Sequence, residues 1–471
     1  MRVPLILLLC VAFLAPQARA QEARYELGRR LRELEQAWEH ADVAAKARAL
    51  APMQESVRLF FRLRLQDAAR ALDTTRFALL DQVLRDEVAW ATSLTLRPER
   101  RMLPTGLETL EVTCEPFYSV EASAPELKAE LLLERMLGQD DRVVAGPYEA
   151  SPDGQGYRWS LPVVEVPEGD YHLTVRVTSP DLEHETSVVV SFVDAAEERL
   201  TALEEALDDP AAPSDLERST ARRLHGMLAG LLDGRTLELD VTAAALLAEA
   251  EAAMASESRR YDHRHAGDYW LRVPVGKGHR DVRLLAPPIA EDAPPRPCVV
   301  AMHGAGGSDN LFFEGYGDGA AVRLAAARGW VLVAPKAPLF GGGGDLTPLL
   351  DALTERYRID RERVVLLGHS MGAGNALAAA RRAPEAYAAM ALIGGGRASK
   401  DDSVYADIPA YISAGSEDFG LRGARSLHAS LVEHQPDARL DVREGIEHMT
   451  IVQEALPAAY DFFDEVLGQQ D

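Results

Sequence analysis

The sequence predicts an α/β domain with a mostly parallel sheet at the C-terminal end, preceded by a helical region and a small antiparallel β-sandwich. Three observations carry this. After about Gly267, short apolar, β-branched runs alternate with helical stretches, the order that lays helices on a parallel sheet. Between Leu103 and Val193, strand-type segments are separated by turn sequences at regular spacing. Before and between these, apolar residues recur at intervals of three and four, as helices require.

With 471 residues the chain exceeds one ordinary core, and 47% hydrophobic content excludes a largely disordered chain. Acidic residues outnumber basic ones, 74 to 50, and the net charge of −24 argues against nucleic acid and anionic membrane surfaces as partners. The expected division is a signal peptide over 1–20, a helical region over 21–102, a β-sandwich over 103–194, a helical linker over 195–262 and the α/β domain over 263–471.

The first segment has Arg2, an apolar run from Leu5 to Leu14 and the cleavage-type triplet Ala18-Arg19-Ala20. That run is too short to span a bilayer, and no later stretch reads as a transmembrane segment. The expectation is a secreted or periplasmic protein. An oxidising compartment permits a bridge between the two remaining cysteines, Cys114 and Cys298, but Cys298 opens an apolar strand and reads better as a small buried hydrophobe.

Leu27, Leu31, Leu34, Trp38 and Ala41 form one apolar stripe, with Arg and Glu on the remaining faces. Pro52 interrupts it, and two more helices follow. Strands are then expected at 110–114, 129–135, 157–161, 171–177 and 186–193, giving a sandwich of immunoglobulin-like outline. Tyr148, Tyr157 and Trp159 are aromatic enough for a polymer-binding face, although core packing is the commoner use. Residues 195–260 return to Ala-, Leu- and Glu-rich helix.

The last domain opens with an antiparallel pair, 267–273 and 280–286. The Cys298-Val299-Val300-Ala301-Met302 strand follows, leading into His303-Gly304-Ala305-Gly306-Gly307. Later, Arg363 to Leu367 reads as strand, Gly368-His369-Ser370-Met371-Gly372 as a tight turn, and Ala373 onward as helix. Strand, Gly-x-Ser-x-Gly, helix is the context that gives the pattern meaning: the serine sits on a strained turn with its hydroxyl projecting, and the glycines make room for that turn. A serine hydroxyl needs a base, and the base needs an orienting acid. Asp418 follows the 408–415 strand and His448 follows the 438–443 strand, both at strand C-terminal ends.

Together these segments resemble the α/β-hydrolase esterases, with greatest similarity to the feruloyl-esterase, poly(hydroxyalkanoate)-depolymerase-like and dienelactone-hydrolase-like branches. The resemblance covers less than half the chain. It implies Ser370 as nucleophile, His448 as base and Asp418 as the acid. It further implies an oxyanion hole from the backbone N–H of Met371 with that of Ala305 or Gly306. Glu417 is the neighbouring rival for the acid. Phe312, Phe313 and Tyr316 are candidates for lining an acyl or aromatic pocket, with helix-start packing the plainer use. His303 reads as a structural residue of the oxyanion loop.

His263-Arg264-His265 has a metal-type spacing but no companion ligands, so no metal and no cofactor is expected. The expected partner is an ester or acyl substrate, small or polymeric. A serine peptidase of prolyl-oligopeptidase type shares the order of the three residues, and an inert polymer-binding protein shares the fold. No lipase-type lid fits between Gly394 and Pro409. Because every residue assigned to chemistry lies after Gly267, a chain starting near Ser256 is expected, where it folds, to keep activity on a small, soluble ester and to lose selectivity or binding toward the natural substrate.

Overall fold

The computed structural model describes residues 4–84, 86–120, 127–136, 142–152, 156–179, 182–209, 215–255, 259–290, 292–337 and 344–468, without side chains for 4–20, 86, 142 and 215. The leader expected over 1–20 therefore lies outside the described side chains. Among the described residues no helix is long and apolar enough to cross a membrane.

The chain forms two compact units that do not follow the consecutive division read from sequence. One comprises 1–31, 58–213 and 221–255, and the other comprises 32–57, 214–220 and 256–471. Four helices come first: α1 (Pro4–His40), α2 (Val43–Phe61), α3 (Leu65–Leu79) and α4 (Asp86–Ser93). Strands begin at Leu94, earlier than the expected boundary at 103: β1 (Leu94–Pro98), β2 (Met102–Pro104), β3 (Thr109–Pro116), β4 (Lys128–Arg135), β5 (Arg142–Ala150), β6 (Tyr157–Pro162), β7 (Gly169–Ser179) and β8 (Leu182–Val193).

Within the first unit these strands make a three-stranded sheet, β1-β3-β6, and a five-stranded sheet, β2-β8-β7-β4-β5. All described pairings are antiparallel except the edge pair β2–β8, which is parallel. Strict alternation buries one face: Leu110, Val112 and Cys114 from one sheet meet Leu131, Leu133, Tyr171, Leu173 and Val175 from the other in a single core. Tyr157 and Trp159 belong to that core, stacked on each other, rather than to an exposed aromatic face. Fully buried Arg30 of α1 pairs with Glu26 and with Asp73, which also accepts from Tyr118 Oη at 2.8 Å. Helices α5 (Ala196–Asp208), α6 (Asp215–Leu232) and α7 (Ala243–Ala255) complete the N-terminal half.

The second unit is built on β9 (Gly267–Val275), β10 (Gly278–Ala286), β11 (Arg296–Met302), β12 (Val331–Pro335), β13 (Ile359–His369), β14 (Ala389–Ile393), β15 (Ala410–Gly415) and β16 (Arg439–Arg443). Their order is β16-β15-β14-β13-β11-β12-β10-β9. The pair β9–β10 enters antiparallel, β10 meets β12 antiparallel, and the other neighbours run parallel. Strands β12 and β14 are wholly buried and apolar, as are β11 from Pro297 to Met302 and β13 from Val364 to Leu367, as a sheet covered on both faces demands. The intervening helices are α8 (Leu311–Glu314), α9 (Tyr316–Arg328), α10 (Thr347–Tyr357), α11 (Met371–Arg382), α12 (Leu421–Leu431) and α13 (Ile451–Gly468). From β11 the chain steps outward to β12, then returns to β13 on the other side. Right-handed crossovers therefore put α9 on one face and α10, α11 and α12 on the other, while α13 packs against α9. The reversal at β11 and β13 leaves a crevice at their C-terminal ends, where such sheets bind ligands.

Segments from the N-terminal half belong to this unit and correct the expectation of a self-sufficient core after Ser256. Trp38 of α1 is fully buried, and its Nε1–H donates to Glu454 of α13 at 2.8 Å. Lys46 Nζ meets the same carboxylate oxygen at 2.7 Å. Burial opposes the charge of Glu454, yet these two hydrogen bonds hold its carboxyl below the usual range. Glu217 is likewise buried, accepting from both terminal nitrogens of Arg356 and from the amides of Arg260 and Tyr261. Cys114 and Cys298 are both free and buried, and burial pushes each thiol up to about 12.

Candidate active site

The nucleophile-type turn joins β13 to α11. Ser370 has φ 54° and ψ −115°, a conformation an L-residue adopts only under restraint, at a cost of about 1–3 kcal/mol. Its amide donates to the Ile393 carbonyl at 2.9 Å, which fastens the turn to β14. The flanking glycines are steric necessities. A Cβ on Gly368 would lie 2.5 Å from the Gly372 carbonyl oxygen, and one on Gly372 would lie 1.9 Å from that of Met302.

The structure brings the three residues predicted from sequence into one chain of hydrogen bonds. Ser370 Oγ lies 2.9 Å from His448 Nε2, and His448 Nδ1 lies 2.8 Å from Asp418 Oδ1. That oxygen also accepts from the Gly420 amide at 2.6 Å. Ser370 is half-buried, whereas His448 and Asp418 are buried. Glu417 is exposed, and its carboxylate meets Gln54 at 3.5 Å, so it is not the partner of His448. The His448 loop is held by Glu447, whose carboxylate accepts from the Met449 and Thr450 amides at 2.8 Å each, immediately before α13. Burial raises the Glu447 pKa above its ordinary value against those donors.

The loop after β11 packs against this turn. A Cβ on Gly304 would be 3.0 Å from His369 Nδ1 and 3.4 Å from Ser370 Cβ. Gly307 N donates to Gly304 O, making 304–307 a tight turn with Ala305 and Gly306 at its centre. Among the described residues the Ala305 and Met371 amides have no hydrogen-bond partner. His303 is buried and accepts from the Ala337 amide through Nε2 at 3.1 Å, so its Nδ1–H donates to Gly304 O at 2.9 Å. It ties the loop down, as the sequence reading expected.

Phe312, Phe313 and Tyr316 do not line an open pocket: they are 1%, 5% and 1% exposed. Phe313 lies under the Arg283 guanidinium, 4.7 Å from it, and the Phe312 ring meets Tyr316 edge-on. The Tyr316 hydroxyl turns inward, 2.7 Å from His369 Nδ1. Sequence reading missed Phe419. Its ring centroid is 3.8 Å from that of His448, and the residue is 65% exposed, so it covers the imidazole and presents an apolar face to solvent. An aromatic directly after the predicted acid is the one signal that pointed to it.

His263 and His265 do not converge on a metal. His265 Nδ1 meets Asp262, His263 Nδ1 meets the Arg356 carbonyl, and no metal-type cluster occurs among the described residues. The connection 394–409 carries only a short turn of helix at Ser403–Tyr405 and no lid.

A sheet of this order, with a strained serine at the central crossover, is the α/β-hydrolase fold. The Esterase family model matches residues 346–447, a span that contains Ser370 and Asp418 and ends one residue before His448. The second unit thus carries an esterase-type segment. Among solved structures the chain is similar to a ferulic acid esterase, with TM-score 0.36 and 16% identity over 43% of this chain and 97% of that one. It is also similar to an S-formylglutathione hydrolase from Agrobacterium tumefaciens, with TM-score 0.34 and 17% identity over 45% and 99%. A third is the carboxylesterase EstE1 from a metagenomic library, with TM-score 0.34 and 16% identity over 44% and 89%. No curated protein matches the chain.

Proposed function

We propose that this protein hydrolyses carboxylic esters through an acyl-enzyme on Ser370. The observation that carries the reading is the continuous pair of hydrogen bonds from Ser370 Oγ through the His448 imidazole to the buried Asp418. Ser370 Oγ attacks the acyl carbon while His448 Nε2 takes its proton. The acyl–oxygen bond then breaks, and His448 gives that proton to the departing alcohol. Water repeats the cycle: His448 takes a proton from it, hydroxide oxygen bonds to the acyl carbon, and the proton returns to Ser370 as the carboxylic acid leaves. Asp418 holds the imidazole with its Nδ1–H inward and stabilises the imidazolium. The Met371 amide, with that of Ala305 or Gly306, receives the negative charge that develops on the carbonyl oxygen.

The Esterase match favours esters over peptides as substrates. The reading extends to location: residues 1–20 would direct the protein to the periplasm or the exterior. Fluorophosphonate labelling tests the chemistry. The full-length protein is expected to be labelled and Ser370→Ala is not; equal labelling of the two overturns the reading.

A further inference from the structure

Glu35 is an odd residue to bury. It lies on α1 within the catalytic unit, is 2% exposed, and has no side-chain cation bonded to it among the described residues. Its Oε1 accepts from the Tyr316 amide at 3.1 Å, and the Gly317 and Asp318 amides also favour its charge. The Tyr316 amide opens a left-handed turn of Tyr316, Gly317, Asp318 and Gly319, with φ of 50°, 78°, 53° and 71°, while Glu35 Oε2 has no hydrogen-bond partner among the described residues. Successive amides of a turn make a cradle for an anionic oxygen. Two of the four residues are not glycine, so this turn needs an external hold, and Glu35 supplies one.

The side chain that the turn projects reaches the reaction centre. The Tyr316 hydroxyl accepts from the Gly304 amide at 3.3 Å and lies 2.7 Å from His369 Nδ1. His369 Nε2 lies 3.0 Å from the His448 carbonyl oxygen. The protons follow. A carbonyl only accepts, so Nε2 carries the hydrogen. Burial, with His448 nearby, keeps the His369 pKa well below its ordinary value, so the ring is neutral and Nδ1 accepts from Tyr316. One hydroxyl thus joins the loop before the predicted oxyanion donors, the residue before Ser370 and the backbone of His448.

We propose that Glu35 and Tyr316 form a positioning relay, through which a helix from the N-terminal half sets the geometry of the oxyanion loop and of His448. This rests on the reading of Ser370 and His448 given above.

The test measures p-nitrophenyl acetate hydrolysis by the full-length protein, with turnover expressed per fluorophosphonate-titrated serine. Tyr316→Phe keeps the ring and removes the hydroxyl, leaving His369 Nδ1 and the Gly304 amide without it. Its kcat per titrated site should fall roughly 10- to 100-fold, the scale on which small misplacements are felt, with KM within about twofold. Glu35→Ala should fall in the same way, and Glu35→Gln should recover most of the loss, because its amide oxygen can still accept from Tyr316. A purely structural role would lower the titratable fraction but leave kcat per site intact. Wild-type kcat per site in Tyr316→Phe overturns the relay, whether or not Glu35→Ala folds. Labelling of Ser370→Ala overturns instead the underlying reading, which separates the two failures.

Discussion

Replacing Glu35 by glutamine should remove a pH-dependent penalty from the folded state. Burial is the largest influence on this carboxyl and outweighs the surrounding amides, pushing its pKa from 4.5 up to about 7. An acid whose pKa is higher in the folded than in the unfolded chain binds more protons when folded. Its contribution is complete below pH 4.5 and is lost as pH rises through 7. At about 1.4 kcal/mol per pH unit over that interval, the ionised form should cost about 3 kcal/mol by pH 8. Glutamine is neutral throughout and keeps an oxygen for the Tyr316 amide. Urea unfolding, followed by tryptophan fluorescence at pH 4.5 and pH 8, should show similar midpoints for the two proteins at the lower pH. At the higher pH the variant should lead by roughly 1 M, for a slope near 3 kcal/mol per M. Parallel midpoints across the whole range would refute the reasoning, because the carboxyl would then titrate alike in both states.

Four further outcomes are expected. Ser370→Ala should lower ester turnover by roughly 10⁴-fold with unchanged circular dichroism. Asp418→Asn should cost roughly 10³- to 10⁴-fold in turnover, while Glu417→Gln, altering an exposed carboxylate, should cost little; steady-state kinetics would reveal the opposite ranking. Phe419→Ala removes a ring lying over His448 and should lower kcat/KM for p-nitrophenyl acetate about 2- to 10-fold, the worth of an aromatic contact; no change would mean the ring is idle. A chain beginning at residue 256 lacks Glu35, Trp38 and Glu217 and should be insoluble or inactive, so a soluble fragment with full turnover would show those contacts to be dispensable.

The three residues of the hydrogen-bonded chain, Ser370, His448 and Asp418, were legible because they are locally encoded. The turn at Ser370 needs glycine on both sides, and chain order then restricts the acid and base to strand ends. The resemblance chose Asp418 over its neighbour Glu417, and the first is buried against His448 while the second is exposed. Strand β5 escaped notice because Gly146 and Pro147 break its pattern, as an edge strand tolerates. The left-handed turn at Tyr316 leaves only Gly317 and Gly319 as its sign in the sequence. Glu35 is the instructive failure. Periodicity assigns polar residues to solvent when a helix has one apolar neighbour, but α1 buries Trp38 and Glu35 in the catalytic unit and Arg30 in the other.

The contacts made by α1 also order events in time. Glu35 meets a partner 281 residues away in sequence, and Trp38 one 416 residues away. Synthesis therefore delivers a brace of the catalytic unit well before the helix it grips. Until α13 emerges, Trp38 has no indole acceptor and its stripe no finished surface to cover. Closing such long loops is slow relative to local helix formation. The unit can mature only once α13 has been made, and the early helices need protection from aggregation throughout that interval.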